Sequence, residues 1–327
     1  MSRMTASGRG RHWKLGDFRR TESGLILPRD QTHIPDSRGV ISRAVRRGTL
    51  TRINRSVYFP TAEVPTSDWE KYPLFAHSFA AGGRLLAGNA AAAVVGLWRL
   101  EAFPTRVETY CAPTTTKDPY ELPLYSAVPA SHYCDYNGAL ITIPARTVVD
   151  LYRLYGHTAA LISLCCFMSR VPTAYSDIVQ CARECRDLGI KKLDGIEDMI
   201  ALAAPPLRLD SALEAIFYAQ CTANNDFRVT PQASFTVRGR TYRVDFRVND
   251  TPIVVELDGK GKYGTSSEDQ AFNLDREKRR SDALYSEHGL IILRFGYRDV
   301  VSGEAYRAVS ARVREFRGQN SGLTPGK

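Results

Sequence analysis

The sequence has no long uninterrupted apolar run. The longest, Leu85 to Trp98, is broken by Asn89 and is shorter than the roughly 20 residues that cross a bilayer. It reads as a buried helix running on to Leu100, and no membrane partner is expected. The first twenty residues are basic and polar and lack the apolar segment of a secretory leader. CxxC pairs are also missing. Seven cysteines, Cys111, Cys134, Cys165, Cys166, Cys181, Cys185 and Cys221, are odd in number and scattered. Cys181 and Cys185 stand four apart without a matching histidine pair, so ordinary reduced thiols are expected rather than zinc ligands. Reduced thiols imply a cytoplasmic setting. His77, His132 and His157 are isolated, so residues 61–205 offer no catalytic cluster.

Beyond residue 60 neither charge is in excess: 31 Lys/Arg face 31 Asp/Glu. The whole formal charge of +9 sits in the first sixty residues, where 13 Lys/Arg meet 4 Asp/Glu. A local basic excess is the electrostatic footprint of a phosphate-backbone binder. Residues 1–20 read as a disordered basic tail, whose plain alternative role is solubility. In residues 21–60 the spacing predicts a helix over 38–47, closed by Gly48. It carries Arg38, Ser42 and Arg46 on one face, with Arg43 and Arg47 beside them. Two short strands around Asn54-Arg55 follow, with Arg52 and Arg55 as backbone contacts. Helix plus basic hairpin reads as a winged helix-turn-helix on DNA. The bland alternative is a small packing unit with solvated arginines.

The region 61–205 reads as a mixed α/β middle part, with strands over 107–112 and 139–143 and a helix opening at Pro144. Ala203-Ala204-Pro205-Pro206 is its expected end. Residues 206–317 read as α-β-β-β-α-β-α, and 318–327 as a tail. The helix after Asp210-Ser211 carries Glu214. A strand over 241–248 carries Asp245, and Ile253-Val254-Val255-Glu256-Leu257-Asp258 is an apolar strand ending in two carboxylates. Adjacent antiparallel strands can bring Asp245 and Glu256 to one sheet edge, and Asp258 shares the face of Glu256. Converging carboxylates repel unless a hard cation such as Mg²⁺ or Mn²⁺ joins them. Lys260 or Lys262 would supply positive charge to a phosphate. The expected fold class is therefore α+β or α/β and multidomain, and the expected chemistry is metal-assisted phosphodiester hydrolysis.

Two resemblances accompany this reading. Val244-Asp245-Phe246, Val255-Glu256-Leu257-Asp258-Gly259, Lys262-Tyr263 and Glu277-Lys278-Arg279-Arg280-Ser281-Asp282-Ala283-Leu284, with Leu293-Arg294-Phe295, resemble the endonuclease-like domains related to very-short-patch-repair nucleases, of the PD-(D/E)XK type. The resemblance implies metal ligation by Asp245, Glu256 and Asp258, with Glu214 reaching in from the first helix. It also implies Lys260 or Lys262 at the phosphate, and Lys278, Arg279 and Arg294 on the nucleic-acid backbone. The strict signature carries lysine where this chain has Asp258. Gly48-Thr49-Leu50-Thr51-Arg52-Ile53 with Val57-Tyr58, Ala87-Gly88-Asn89-Ala90-Ala91-Ala92, and Pro144-Ala145-Arg146-Thr147-Val148-Val149-Asp150 are similar to segments of AbiEi-type antitoxins, whose wing carries glycine where this chain has Ser56. That resemblance implies a DNA-binding regulator, a cognate toxin as a further partner, and a setting in phage defence. Three functions stay open at this point: a DNA endonuclease, a regulator with an inactive nuclease fold, and a protein–protein adaptor.

Overall fold

The computed structural model describes residues 13–111, 118–237, 239–258 and 289–321. The architecture is mixed α/β and multi-unit. One compact unit comprises Met1–Gly96 and Glu101–Ile143, the other Leu97–Leu100 and Pro144–Lys327. The expected boundary near residue 205 thus falls inside the second unit.

In the first unit, helix α1 (Ser37–Arg46) starts one residue earlier than its apolar spacing predicts. Asp36, in the left-handed region at φ 50°, caps it by accepting from the Gly39 N–H at 3.2 Å. Val40, Ile41 and Ala44 bury one face against Phe18, Ile26, Ile34 and Leu50. The chain then turns at Gly48, φ 72°. Strands β1 (Leu50–Asn54) and β2 (Val57–Pro60) pair antiparallel, Leu50 opposite Pro60. Ser56 takes φ 60° at the hairpin tip, the conformation a glycine would adopt there most cheaply. Ile26 adds a third short rung by exchanging two hydrogen bonds with Tyr58.

The expected long helix over Leu85–Leu100 does not form. Leu85 and Leu86 make strand β3, helix α3 spans only Gly88–Val94, and the chain leaves the helix at Val95. Leu86 lies opposite both Thr109 and Ile141, so the ladder captures the two leucines before a helix can. Gly88 then opens α3 at φ 50°, where an added Cβ would meet the Glu108 side chain at 3.2 Å. Glu108 is fully buried and holds this helix start by accepting from the Ala90 N–H at 3.0 Å and the Asn89 amide at 3.2 Å. The asparagine that interrupts the apolar run therefore has a buried acidic partner. Strands β4 (Val107–Tyr110), β5 (Glu121–Leu124), β6 (Tyr133–Tyr136) and β7 (Ala139–Thr142) complete a five-stranded sheet of order β5-β4-β3-β7-β6. Helix α2 (Asp68–Ala80) and α3 cover it through Tyr72, Ala76, Phe79, Ala90 and Ala91.

The second unit opens with helices α4 (Pro144–Tyr155), α5 (His157–Arg170), α6 (Ala174–Asp187) and α7 (Ile196–Leu202). Arg146 and Asp150, one turn apart on α4, form an ion pair at 3.2 Å with both side chains wholly buried. Helix α8 (Ala212–Asn224) packs on α5 and leads into the sheet. Strands β8 (Val229–Pro231) and β9 (Ser234–Val237) run antiparallel to β10 (Arg240–Arg243) and β11 (Phe246–Val248). The strand expected over 241–248 is thus two pieces with one register: Arg243 faces Ser234 and Phe246 faces Pro231. Gln232, at φ 52°, kinks the opposite strand where β10 gives way to β11. Strand β12 (Ile253–Asp258) pairs antiparallel with β11 and parallel with β13 (Ile291–Gly296), giving the order β13-β12-β11-β8. The helix expected between the last two strands of the α-β-β-β-α-β-α order falls outside the described residues. Helices α9 (Tyr297–Val301) and α10 (Glu304–Ser321) follow β13.

Candidate functional site

The sheet of the second unit lines up the acidic residues. Phe246 faces Val255 and Arg247 faces Val254, so one further step along the ladder puts Asp245 across from Glu256. Residues opposed in this way have Cβ atoms about 5 Å apart. Asp245 is held there because its Oδ2 accepts from the Leu257 N–H at 2.7 Å. On the other side of β12, Glu256 lies beside Arg294 of β13. The Arg294 Nε donates to Glu256 Oε2 at 3.2 Å. Asp245 just ahead of β11, Glu256 in β12 and Arg294 in β13 therefore form a row across the sheet. Asp258, half-buried, follows Glu256 by two residues at the strand end, opposite Gly296.

Glu256 is 6 % exposed in a strand whose remaining side chains up to Leu257 are buried and apolar. Burial of an ionised carboxylate is costly unless a cation and hydrogen bonds accompany it. Arg294 supplies one cation. Among the described residues of this unit, no three Asp, Glu, His or Cys side chains bring their ligand atoms all within 4.8 Å of one another. Asp245, Glu256 and Asp258 accordingly form an open row, not a closed cage.

Glu214 stands near this row, but its oxygens serve the helix start. Ser211 caps α8 by accepting from the Glu214 N–H at 3.2 Å, and its hydroxyl donates to Glu214 Oε1 at 2.8 Å. The Asp210 N–H donates to Glu214 Oε2 at 3.0 Å, and the Gln232 amide donates to the same oxygen. The Ser211 side chain thus caps the helix, and the Glu214 carboxylate folds back onto the residue before the cap, with an extra donor from the kinked strand. Burial pushes the Glu214 carboxyl above its ordinary value, and the charge of Asp245 pushes it further. Hydrogen bonds from the Asp210 N–H, Ser211 and Gln232 oppose the rise. Sequence reasoning overlooked Gln232; a lone polar residue between short strands carries no signal of a left-handed kink aimed at a helix cap.

Lys260, Lys262, Lys278 and Arg279 lie outside the described residues. Arg294, expected on a nucleic-acid backbone, sets its Nε on Glu256.

In the first unit, Arg38, Ser42, Arg43, Arg46 and Arg47 are all exposed on or just beyond α1, as are Arg52 and Arg55 on the hairpin. Arg43 lies 3.6 Å from the carboxylate of Asp36, and Arg52 Nε donates to the Asn54 carbonyl at 3.3 Å. Arg38 and Arg55 both line one groove of about 670 Å³, together with Arg29 and Arg84. The latter two were not singled out in the sequence, because only the folded chain brings them to the hairpin.

No protein-family model matches the chain, and no curated protein is significantly similar to it.

Proposed function

We propose that the chain is a DNA-binding protein whose second unit hydrolyses phosphodiester bonds with a divalent cation, in the manner of PD-(D/E)XK endonucleases. One observation carries the reading: Asp245 is anchored by a main-chain hydrogen bond across from Glu256, with Asp258 next along the same strand. Such an opposition of carboxylates at the strand ends is unfavourable on its own terms and useful to a cation. The order of elements adds support. A helix, an antiparallel hairpin, β12 and a parallel β13 follow one another as the resemblance to very-short-patch-repair-like domains implies.

The donor set fits Mg²⁺ or Mn²⁺, because carboxylate oxygens are the ligands that hard cations prefer. Asp245, Glu256 and Asp258 would hold the ion, and Glu214 would not, since both of its oxygens accept hydrogen bonds at the helix cap. The ion, when bound, lowers the pKa of a water and stabilises charge on phosphate oxygens. Leu257, through its N–H, fixes the orientation of Asp245. Arg294 holds Glu256 in place and limits the repulsion between the two acids. In the first unit, the exposed stripe Arg38, Ser42 and Arg46 with the hairpin arginines acts as the DNA reader, in the manner of a winged helix.

A nicking assay on supercoiled plasmid with Mg²⁺ or Mn²⁺ tests the proposal. Cleavage by the wild type that chelation abolishes and Asp245→Asn removes supports it. A wild type that binds DNA and never cleaves it, in either ion, refutes the enzymatic part. A second reading is then favoured by the open acid row and the Arg294–Glu256 pair: a regulator resembling AbiEi-type antitoxins, which keeps the nuclease fold for binding and takes a cognate toxin as partner.

A further inference from the structure

The groove in the first unit is built by segments distant in sequence. Arg38 comes from the start of α1, Asn54 and Arg55 from the hairpin tip, Arg29 from the turn before α1, Ser78 from the end of α2 and Arg84 from the approach to β3. Its volume of about 670 Å³ is in the range that accommodates ligands of a few hundred daltons. Four arginines and two acids line this space. Glu121 is already engaged, accepting from Arg84 Nε at 2.8 Å and from the Thr109 hydroxyl at 2.6 Å. Asp118 accepts from the Tyr120 N–H at 2.9 Å. Arg29 donates to the Ala81 carbonyl at 2.5 Å and lies 3.7 Å from the carboxylate of Asp30, with its side chain exposed. Arg38 and Arg55 have no side-chain hydrogen bond or ion pair among the described residues. Four arginines against two acids leave the groove lining positive, and two of these arginines have no counter-charge among the described residues.

We infer that this groove seats a stretch of nucleic-acid sugar–phosphate backbone, and that Arg29 and Arg84, outside the basic helix and hairpin, belong to the contact. The inference rests on the nucleic-acid reading given above. Forked guanidinium groups match the geometry of phosphate oxygens. A polymer suits the site better than a small anion does. The groove opens onto the exposed stripe through Arg38, and from there Ser42 and Arg46 continue one and two turns along α1. Contacts of this kind fix register and affinity without reading bases.

The test is fluorescence anisotropy of the full chain with two labelled duplexes of unrelated sequence, titrated over a range of KCl. Each lost phosphate contact lowers the slope of log K against log salt by about 1, equally on both sequences. Arg29→Ala should show that loss with an unchanged melting temperature. Arg84→Gln made together with Glu121→Gln, so that no buried carboxylate is stranded, should show it as well. Unchanged slopes in both, while Arg38→Ala and Arg55→Ala weaken binding, overturn this inference and leave the nucleic-acid reading standing. A wild type that binds no duplex overturns both. A poly-glutamate peptide that displaces the duplex as well as unlabelled DNA of equal charge overturns the assignment to nucleic acid and makes the groove a seat for an acidic protein segment.

Discussion

Neutralising Asp245 separates a site built for a cation from one that merely stabilises the sheet. Asp245→Asn keeps the shape of the side chain and an oxygen able to accept from the Leu257 N–H. It removes one of two opposed carboxylates. At a charge separation of about 6 Å and an effective dielectric near 20, their repulsion is about 2–3 kcal/mol. Arg294 on Glu256 offsets part of it, so relief of about 1 kcal/mol is a fair expectation. Glu214 gains too, because the Asp245 charge is one of the causes that raise its pKa. For a unit of this size, 1 kcal/mol moves the melting temperature by about 2–4 °C. The variant should therefore melt higher than the wild type in chelator. Divalent cation should reverse the order. At ten times its dissociation constant, Mn²⁺ stabilises a native site by about 1.4 kcal/mol, and Asp245→Asn should lose most of that gain. Differential scanning calorimetry with EDTA and with Mn²⁺ reads both effects. A variant that is destabilised in EDTA, with an Mn²⁺ response equal to that of the wild type, would refute the argument and reduce the acid row to a structural feature.

Three further outcomes follow from particular contacts. Arg146→Met strands the buried Asp150 carboxylate and should cost about 3–5 kcal/mol in urea denaturation, whereas Arg146→Met with Asp150→Leu should recover most of it; a single-variant cost below that of an ordinary surface change would contradict the buried pair. Glu214 has a folded-state pKa raised above its unfolded value, so its contribution is fully present below the ordinary carboxylate range and is lost as pH rises through the raised pKa. Glu214→Gln should flatten that part of the stability–pH curve, and an unchanged slope would remove the assigned cause. Maleimide labelling of the native chain, read by mass spectrometry, should modify the exposed Cys134 first and the half-buried Cys111 more slowly. Cys165, Cys166, Cys181, Cys185 and Cys221 are buried, with burial pushing Cys165 up to about 12, and should stay unmodified until the chain unfolds.

Elements with strong local signals could be read in advance. Helix α1 follows from a 3.6-residue apolar spacing bracketed by Asp36 and Gly48, and β12 from six residues that are apolar apart from their carboxylates. Ser211 marks the start of α8, and the structure places both oxygens of Glu214, the residue also offered as a metal ligand, in hydrogen bonds at that helix start. The failure at Leu85–Leu100 has a tertiary cause. Leucine favours a helix locally, but Leu85 and Leu86 complete a ladder with Tyr110, Thr109 and Ile141, residues 20 to 60 positions away. The ARTxxD-like segment was read as a family mark, and the fold explains it as a buried ion pair one helical turn long. Helices α2, α6 and α7 and strands β5, β6 and β8 escaped because their apolar faces are short and mixed with polar residues that only packing sorts out. Arg29 and Arg84 carry no local mark of their common groove.

The position of the acids argues for a site more strongly than their number does. Strand β12 has partners on both sides, and Ile253, Val254, Val255 and Leu257 fill its buried positions with apolar side chains. Replacing a buried ion pair by apolar residues of similar volume is commonly neutral or stabilising, so packing alone gives no reason for Glu256 to interrupt such a strand with Arg294 beside it on β13. The interruption comes near its C-terminal end, just beyond the residues that pair with antiparallel β11 and still within the ladder to parallel β13. There Asp245 arrives from one side by a main-chain hydrogen bond and Arg294 from the other by an ion pair. Ligand sites in open sheets gather at the carboxyl ends of strands. Arg294, as the counter-charge beside Glu256, lowers the repulsion in the row below what three bare acids would suffer. An incoming cation would then compete with a guanidinium for Glu256, and this competition makes the response to Mn²⁺ a sharper test of the site than the spacing of the carboxylates.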